Sequence, residues 1–186
     1  MANVLTICGS LRKKSYNAAL VRALPALAPE GMTLTAAPRV DTIPHYNHDD
    51  QEATGFPPSV TAFADAIRAA DGVIIVSPEY NWTIPGTLKN AIDWVSRMKE
   101  QPFKDKPVAL QSASGALLGG SRMQYHLRQS LTSIDALIFG RPEVIVTFAP
   151  QKFDAETLEL KDQATRDMIK LQLAAFGKFI ERVGGR

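Results

Sequence analysis

The sequence contains almost no cysteine. One residue of this type, Cys8, occurs among 186 residues, and a single thiol excludes a disulfide framework as well as cysteine-rich zinc and iron–sulfur sites. Because Cys8 lies inside a short apolar run, we interpret it as a small core residue rather than a reactive thiol. Any redox chemistry would therefore come from a bound cofactor.

The chain also lacks long apolar runs and a strong charge of either sign. No apolar run approaches the roughly 20 residues of a membrane-spanning helix, and the first residues do not form a charged and then apolar signal segment. We therefore expect no membrane association and residence in the cytoplasm. The 21 basic and 19 acidic residues give a net charge of +2, which is too small to indicate a nucleic-acid partner and disfavours a strongly acidic electron carrier.

Short apolar runs alternate with segments of helical periodicity. Five buried strands are predicted, at residues 4–8, 32–36, 73–76, 107–111 and 144–148. Alternating strands and helices favour right-handed crossovers, and hence a parallel sheet with helices on both faces. We predict one α/β domain over residues 1–186, a three-layer sandwich whose five-stranded parallel sheet has the order 2-1-3-4-5.

Three loops of unusual composition follow predicted strands one, three and four. They are residues 9–17, the first loop; residues 77–86, the second loop; and residues 112–120, the third loop. In the predicted strand order a ligand crevice lies at the carboxyl ends of strands one and three. The three loops are therefore expected to meet and to form a cofactor site.

The first loop, G-S-L-R-K-K-S-Y-N, has the composition of a phosphate-binding turn. Gly9 allows a close turn, and the side chains of Ser10, Arg12, Ser15 and Asn17 can all donate hydrogen bonds. Free amides at the start of the following helix would add a positive partial charge. An isolated string of this kind is also compatible with an ordinary surface turn that begins a helix.

Two nucleotide-binding motifs are missing. The chain has neither G-x-G-x-x-G with a later acidic residue, typical of dinucleotide binding, nor G-x-x-x-x-G-K-[ST], typical of nucleotide triphosphatases. Hydroxyl groups with one arginine suit a terminal monophosphate. A mononucleotide such as FMN therefore fits the first loop better than NAD or ATP.

The second loop, S-P-E-Y-N-W-T-I-P-G, offers the wall that a flat ring needs. Pro78 stiffens its backbone, Tyr80 and Trp82 supply aromatic faces, and the amides of residues 79–81 with the Asn81 side chain supply a polar edge. Trp82 is also compatible with a subunit contact. In the third loop, three glycines and a serine hydroxyl permit close approach of main-chain amides to a flavin, where they would stabilise the charge gained on reduction.

These stretches together resemble a known family. They are similar to the NAD(P)H-dependent FMN reductases, in particular the chromate reductase branch of soluble quinone reductases. The similarity is carried by the first loop, by S-P-E-Y-N-W-T-I-P-G-T-L-K-N-A-I-D-W and by S-G-A-L-L-G-G-S-R-M-Q-Y-H-L-R. The resemblance implies a flavodoxin-like fold, tightly bound FMN and a homotetramer or homodimer. It also implies two-electron transfer from NADH or NADPH to quinones, with chromate and other acceptors reduced less selectively.

The resemblance also implies roles for individual residues. The FMN phosphate would be held by Ser10, Arg12, Ser15 and Asn17, and the ring and ribityl chain by the second loop with Pro78, Glu79, Tyr80 and Asn81. The ring edge would contact Ser114 and Gly115, and subunit contacts would fall near Trp82, Arg122, Tyr125 and Glu143. No side chain is expected to act as a nucleophile or as an acid–base pair, because the flavin carries the reaction.

Residues 37–59 are rich in Pro, Asp, Asn and Gly and show no periodicity. A connection of this length is unusual in a compact domain, so we expect it to fold over a site or a partner. His45, His48, Asp49 and Asp50 lack a second cluster to complete a metal shell, and we expect no metal there.

Two other functions remain open from the sequence. A non-enzymatic flavodoxin would shuttle single electrons between proteins, and a flavin-dependent regulatory module would use the fold only for binding. The choice between NADH and NADPH, and between dimer and tetramer, also remains open.

Overall fold

The computed structural model describes residues 1–184, and its centre is a parallel β-sheet. The strands are β1 (Ala2–Cys8), β2 (Met32–Ala36), β3 (Gly72–Val76), β4 (Pro107–Ala113), β5 (Leu137–Ile138) and β6 (Val144–Val146). They are hydrogen-bonded in the order β2-β1-β3-β4-β5, and β6 also pairs with β4. Every pairing is parallel. The predicted flavodoxin-like order 2-1-3-4-5 is confirmed.

The fifth position of the sheet is divided between two short strands. Leu137 pairs with Pro107 near the start of β4, and Val144 pairs with Gln111 farther along it. The sequence indicated one strand over residues 144–148, whereas β6 ends at Val146 and β5 was missed. The intervening residues include Pro142, which has no N–H to continue the ladder, and β5 is too short to show periodicity.

The helices cover both faces of the sheet. They are α1 (Tyr16–Ala23), α2 (His48–Thr54), α3 (Pro58–Ala69), α4 (Gly86–Val95), α5 (Ser121–Thr132), α6 (Ala149–Lys152) and α7 (Gln163–Gly184), with 3₁₀ turns at Pro25–Leu27 and Val40–Thr42. In residues 1–184 no helix combines the length and apolar character needed to cross a membrane.

Two apolar layers follow from the alternation of side chains along the strands. Val73 and Ile75 pack with helices α3, α4 and α5, whereas their neighbours Ile74 and Val76 pack with α1 and α7. All five residues of β3 are buried. Because β3 is buried on both faces, the centre of the sheet is rigid. The carboxyl ends of β1, β3 and β4 therefore hold the starts of the three loops in fixed positions.

The segment 37–59 contains local structure that the sequence did not predict, the 3₁₀ turn Val40–Thr42 and helix α2. The carbonyl of Pro44 accepts hydrogen bonds from Trp94 Nε1 at 2.8 Å and Asn90 Nδ2 at 2.9 Å, and the Tyr46 ring meets the Trp94 ring edge-on. The middle of the segment is thus held against α4. Helix α2 within it was missed because it has no buried residue and hence no apolar stripe.

Candidate functional site

The three loops meet at one cavity, as predicted. Its volume is about 210 Å³, and of the described residues the following line it: Ser10, Arg12, Ser15, Tyr16, Asn17, Pro78, Tyr80, Ala113 and Gly115. We call it the loop cavity. Seven of these nine residues are among the ten that the sequence indicated for cofactor binding, and no lining residue carries a carboxylate. A cavity with hydroxyls, a guanidinium and no negative side chain favours an anion.

Gly9 brings the first loop into contact with the end of β3. Its N–H donates to the Val76 carbonyl at 2.9 Å, and a Cβ on Gly9 would lie 2.4 Å from Ser77 Oγ and 2.8 Å from Ser77 Cβ. Ser77 is fully buried and has little room to move. The approach of the first loop to the second therefore depends on the absence of a side chain at position 9.

The start of α1 supplies free backbone donors beside the loop cavity. Ser15 caps the helix, its Oγ accepting a hydrogen bond from the Ala18 N–H at 3.2 Å. The N–H groups of Tyr16 and Asn17 have no hydrogen-bond acceptor among residues 1–184. Both residues line the cavity. The positive end of the helix dipole thus lies at the cavity wall, which is the arrangement that binds phosphate at helix N-termini.

Asn17 connects the first loop to the third. Its side-chain Nδ2 donates to the Ala113 carbonyl and its Oδ1 accepts from the Ala113 N–H, each at 2.9 Å. Asn17 is almost fully buried. The amide therefore positions α1 against the end of β4, and the backbone N–H of Asn17 is a further donor at the cavity wall.

Arg12 holds the first loop closed while placing its charge at the cavity. Its Nε donates to the Lys14 carbonyl at 2.9 Å, and its Nη2 donates to the same oxygen. A guanidinium has five N–H donors, so donors remain for a ligand. The side chain is exposed and lies on the wall of the loop cavity.

The second loop is a tight hairpin. Tyr80 and Thr83 exchange backbone hydrogen bonds of 3.0 and 3.1 Å, and the two residues between them, Asn81 and Trp82, both have positive φ angles, 49° and 69°. Positive φ at both central residues is the signature of a type I′ turn. The turn exposes 66% of Trp82 at its tip and leaves Tyr80 half-exposed on the cavity wall.

Glu79 lies outside the loop cavity. Its Oε1 accepts from Arg122 Nε at 2.8 Å, and its Oε2 accepts from the Met123 N–H in the first turn of α5 at 3.2 Å. The Arg122 guanidinium in turn lies over the Trp82 ring, 4.3 Å from its centroid. Glu79 thus caps α5 and fixes the second loop, a role that sequence reasoning missed because the partners lie 43 and 44 positions away.

The third loop is shaped by its own backbone. Ser114 N–H donates to the Val146 carbonyl at 3.0 Å, and the Ser114 hydroxyl accepts from the Ala116 N–H at 3.1 Å. Gly120 begins α5 with a φ of 93°, and a Cβ there would lie 2.8 Å from Ser112 Cβ. The Ser114 hydroxyl therefore stabilises the turn, and the residues of this loop that line the cavity are Ala113 and Gly115.

Cys8 stands at the end of β1 directly before the first loop. It is half-buried rather than fully buried, and its Sγ donates to the Ser10 carbonyl at 3.5 Å. Burial raises the pKa of the Cys8 thiol, so the nucleophilic thiolate is disfavoured. The raised pKa agrees with an unreactive thiol, but Cys8 is not the core residue that the sequence predicted, because it is only half-buried and belongs to neither apolar layer.

Comparison with known proteins decides the class of this site. Residues 2–151 match the family NADPH-dependent FMN reductase. The chain belongs to this family. It is 49% identical over 180 residues to a quinone reductase from Escherichia coli K12, covering 97% of this chain and 96% of the relative. It is also 46% identical over 182 residues to an NAD(P)H-dependent FMN reductase from Pseudomonas aeruginosa, covering 98% and 97% of the two chains.

A solved structure extends the comparison to three dimensions. The flavoenzyme NAD(P)H:acceptor oxidoreductase from Paracoccus denitrificans superposes with a TM-score of 0.87 and 32% sequence identity over 98% of both chains. The family resemblance, the expectation of an oxidoreductase and the expected FMN with a reduced nicotinamide are confirmed. For an NADPH-dependent FMN reductase, the loop cavity has the donors that the phosphate end of FMN requires.

Proposed function

We propose that this protein transfers two electrons from NADH or NADPH to quinones through FMN held by the three loops. The observation that carries the proposal is the loop cavity, where hydroxyls, a guanidinium and the free amides of α1 converge without a carboxylate. Relatives named quinone reductase and NADPH:quinone oxidoreductase, from Escherichia coli and Arabidopsis thaliana, support the choice of acceptor.

The phosphate of FMN would be bound by the first loop. Ser10, Arg12 and Ser15 would supply side-chain donors and one positive charge, and the N–H groups of Tyr16 and Asn17 would supply the helix dipole. The Asn17 side chain acts as a positioning group through its bonds to Ala113. Together these groups would supply the donors and the positive charge that a phosphate dianion requires.

The ring and ribityl chain would be bound by the second and third loops. Tyr80, Pro78 and Gly115 line the cavity, and the N–H groups of Glu79 and Asn81 have no acceptor among residues 1–184. Ser114, which precedes Gly115 and is not part of the lining, would contact the ring edge. When bound, FMN supplies hydride acceptance and electron donation. The chain orients the ring and, through amides near its edge, stabilises negative charge; no side chain acts as a nucleophile.

Chromate would be reduced less selectively at the exposed edge of the flavin ring, because electron transfer to a small acceptor requires access to the ring rather than a shaped pocket. The half-exposed Tyr80 and the mostly exposed Trp82 stand beside this edge. We also propose that the protein works in the cytoplasm.

The assembly would be a homodimer or homotetramer formed around the start of α5. Five large apolar side chains of the second loop, the third loop and α5 are exposed: Tyr80, Trp82, Leu117, Leu118 and Tyr125. Arg122 lies over Trp82, and Tyr125 follows it by one turn of α5. Glu143 is paired with Arg128 of α5 at 3.0 Å. Exposed aromatic side chains and arginine are enriched at subunit contacts.

Anaerobic mixing of the FMN-loaded protein with each reduced nicotinamide tests the enzyme proposal. We expect NADH or NADPH to bleach the flavin absorbance directly and a quinone added afterwards to restore it, in the two half-reactions of ping-pong kinetics. A flavodoxin-type electron carrier would hold FMN yet fail to be bleached by either nicotinamide, and that result would reject the proposal. Stopped-flow rates for NADH and NADPH measured in the same experiment give the co-substrate preference.

A further inference from the structure

A second cavity lies on the other side of the first loop. Its volume is about 350 Å³, and it opens between α1, the end of β1 and the residues that follow β2. We call it the β2 cavity. Ser10 and Arg12 line both cavities, so the first loop is their common wall. A ligand in the β2 cavity would therefore be a close neighbour of whatever occupies the loop cavity.

The charge of the β2 cavity is positive. Four basic side chains line it, Arg12, Lys13, Arg22 and Arg39, and no acidic residue occurs among the described residues of its lining. Arg39 is paired with Asp41, with Nε–Oδ1 and Nη2–Oδ2 distances of 2.9 and 2.6 Å. Asp41 thus neutralises one of the four cations, and the cavity keeps an excess of positive charge. Because the whole chain has a net charge of only +2, positive charge is concentrated at this cavity.

The remaining wall is apolar. Leu11, Val21 and Pro38 line the cavity together with small alanine residues. A cavity that combines basic groups with a flat apolar wall suits a planar base that carries a phosphate, because the base can pack on the wall while arginines bind the phosphate oxygens. Inorganic phosphate alone would leave the apolar part unused.

We propose that the β2 cavity binds the adenosine 2′-phosphate of NADPH, with Arg39 and Arg22 as the residues that select NADPH over NADH. The inference rests on the proposed use of a nicotinamide co-substrate. Arg39 reaches the cavity because β2 is followed directly by Ala37, Pro38 and Arg39, all of which line it.

Calorimetric titration of the FMN-loaded protein with adenosine 2′-monophosphate tests the cavity without turnover. We expect binding that weakens about tenfold in Arg39→Ala and in Arg22→Ala, the effect of losing one charge-assisted contact. Asp41→Asn should strengthen binding, because it frees Arg39 from its partner. Arg182→Ala, which removes an exposed arginine of α7 that does not line this cavity, is the matched control and should leave affinity unchanged.

Steady-state kinetics link the cavity to co-substrate choice. In Arg39→Ala the KM for NADPH should rise about tenfold more than the KM for NADH, since NADH has no 2′-phosphate. Equal affinity of wild type and both arginine variants for adenosine 2′-monophosphate, or equal effects on the two KM values, would overturn the proposal. Equally tight binding of inorganic phosphate would mean an adventitious ion only and would also overturn it.

Failure of this inference can be told apart from failure of the proposed function. If the protein does not retain FMN, the quinone reductase proposal fails, whereas titration of the flavin-free protein with adenosine 2′-monophosphate still reports on Arg22 and Arg39. If FMN is retained and bleached by both nicotinamides without a difference between wild type and Arg39→Ala, only the β2 cavity assignment fails.

Discussion

Gly9→Ala is expected to lower the free energy of unfolding by about 2 kcal/mol and to weaken FMN binding at the same time. The added methyl group would lie 2.4 Å from Ser77 Oγ and 3.0 Å from Leu88 Cδ2, so either the first loop or the end of β3 must move. Thermal unfolding with and without FMN, together with a flavin titration, measures both effects. Because the strain falls between two loops of the loop cavity, stability and affinity should decline together.

Gly86→Ala is the matched control for this substitution. Nothing lies within 4 Å of a Cβ at position 86, and alanine is the better helix former at the start of α4. Its unfolding temperature should equal or exceed that of the wild type. The double substitution Gly9→Ala with Ser77→Gly removes the clashing atoms and should recover part of the loss. An unaltered unfolding temperature and FMN affinity in Gly9→Ala would show that the two loops are not in firm contact.

Asn17→Ala is expected to cost about 2–4 kcal/mol of folding free energy, because it leaves both backbone groups of buried Ala113 without a partner. FMN affinity should also fall, since α1 and the end of β4 are no longer held together. Chemical denaturation of the flavin-free protein measures the free energy of unfolding, and quenching of flavin fluorescence measures the affinity for FMN.

A charge-altering variant separates the positioning role of Asn17 from a general loss of stability. Asn17→Asp keeps an acceptor for the Ala113 N–H but turns a second oxygen toward the Ala113 carbonyl, so it should lose about as much stability as Asn17→Ala. It also places a carboxylate beside the phosphate site, so it should bind FMN more weakly than Asn17→Ala does. Asn47→Ala, which removes the exposed cap of α2, should cost only about 1 kcal/mol and leave FMN affinity unchanged. Identical affinities in the two Asn17 variants would contradict this account.

The positions of the three loops could be predicted because they follow from strand order alone. Apolar runs identify the strands, and a parallel sheet brings their carboxyl ends to one edge. The first loop was also recognisable locally, since the cap at Ser15 and the turn at Gly9 are encoded by neighbours in the sequence. Strand order and the composition of the three loops together placed seven of the ten predicted residues on one cavity.

The contacts that fix the loops were not predictable from local sequence. Asn17 binds Ala113 across 96 positions, and Glu79 caps α5 across 44. A polar side chain that pairs with a distant backbone group leaves no periodic signal. The sequence predicts that Asn17 and Glu79 contact the cofactor, and the structure shows in addition that both side chains make hydrogen bonds within the protein. The short strand β5 and the polar helix α2 were missed because neither has an apolar pattern.

The most direct test of the account is the difference between FMN and riboflavin, which share the ring but differ by the phosphate. Flavin-free protein incubated with excess of either compound and then desalted should retain FMN and lose riboflavin. The ratio of dissociation constants should be at least about a hundredfold, because a dianion at α1 gains several charge-assisted hydrogen bonds. Equal affinity for both flavins, or a protein that stays colourless after incubation with FMN, would contradict the claim that three loops bind this cofactor by its phosphate and ring.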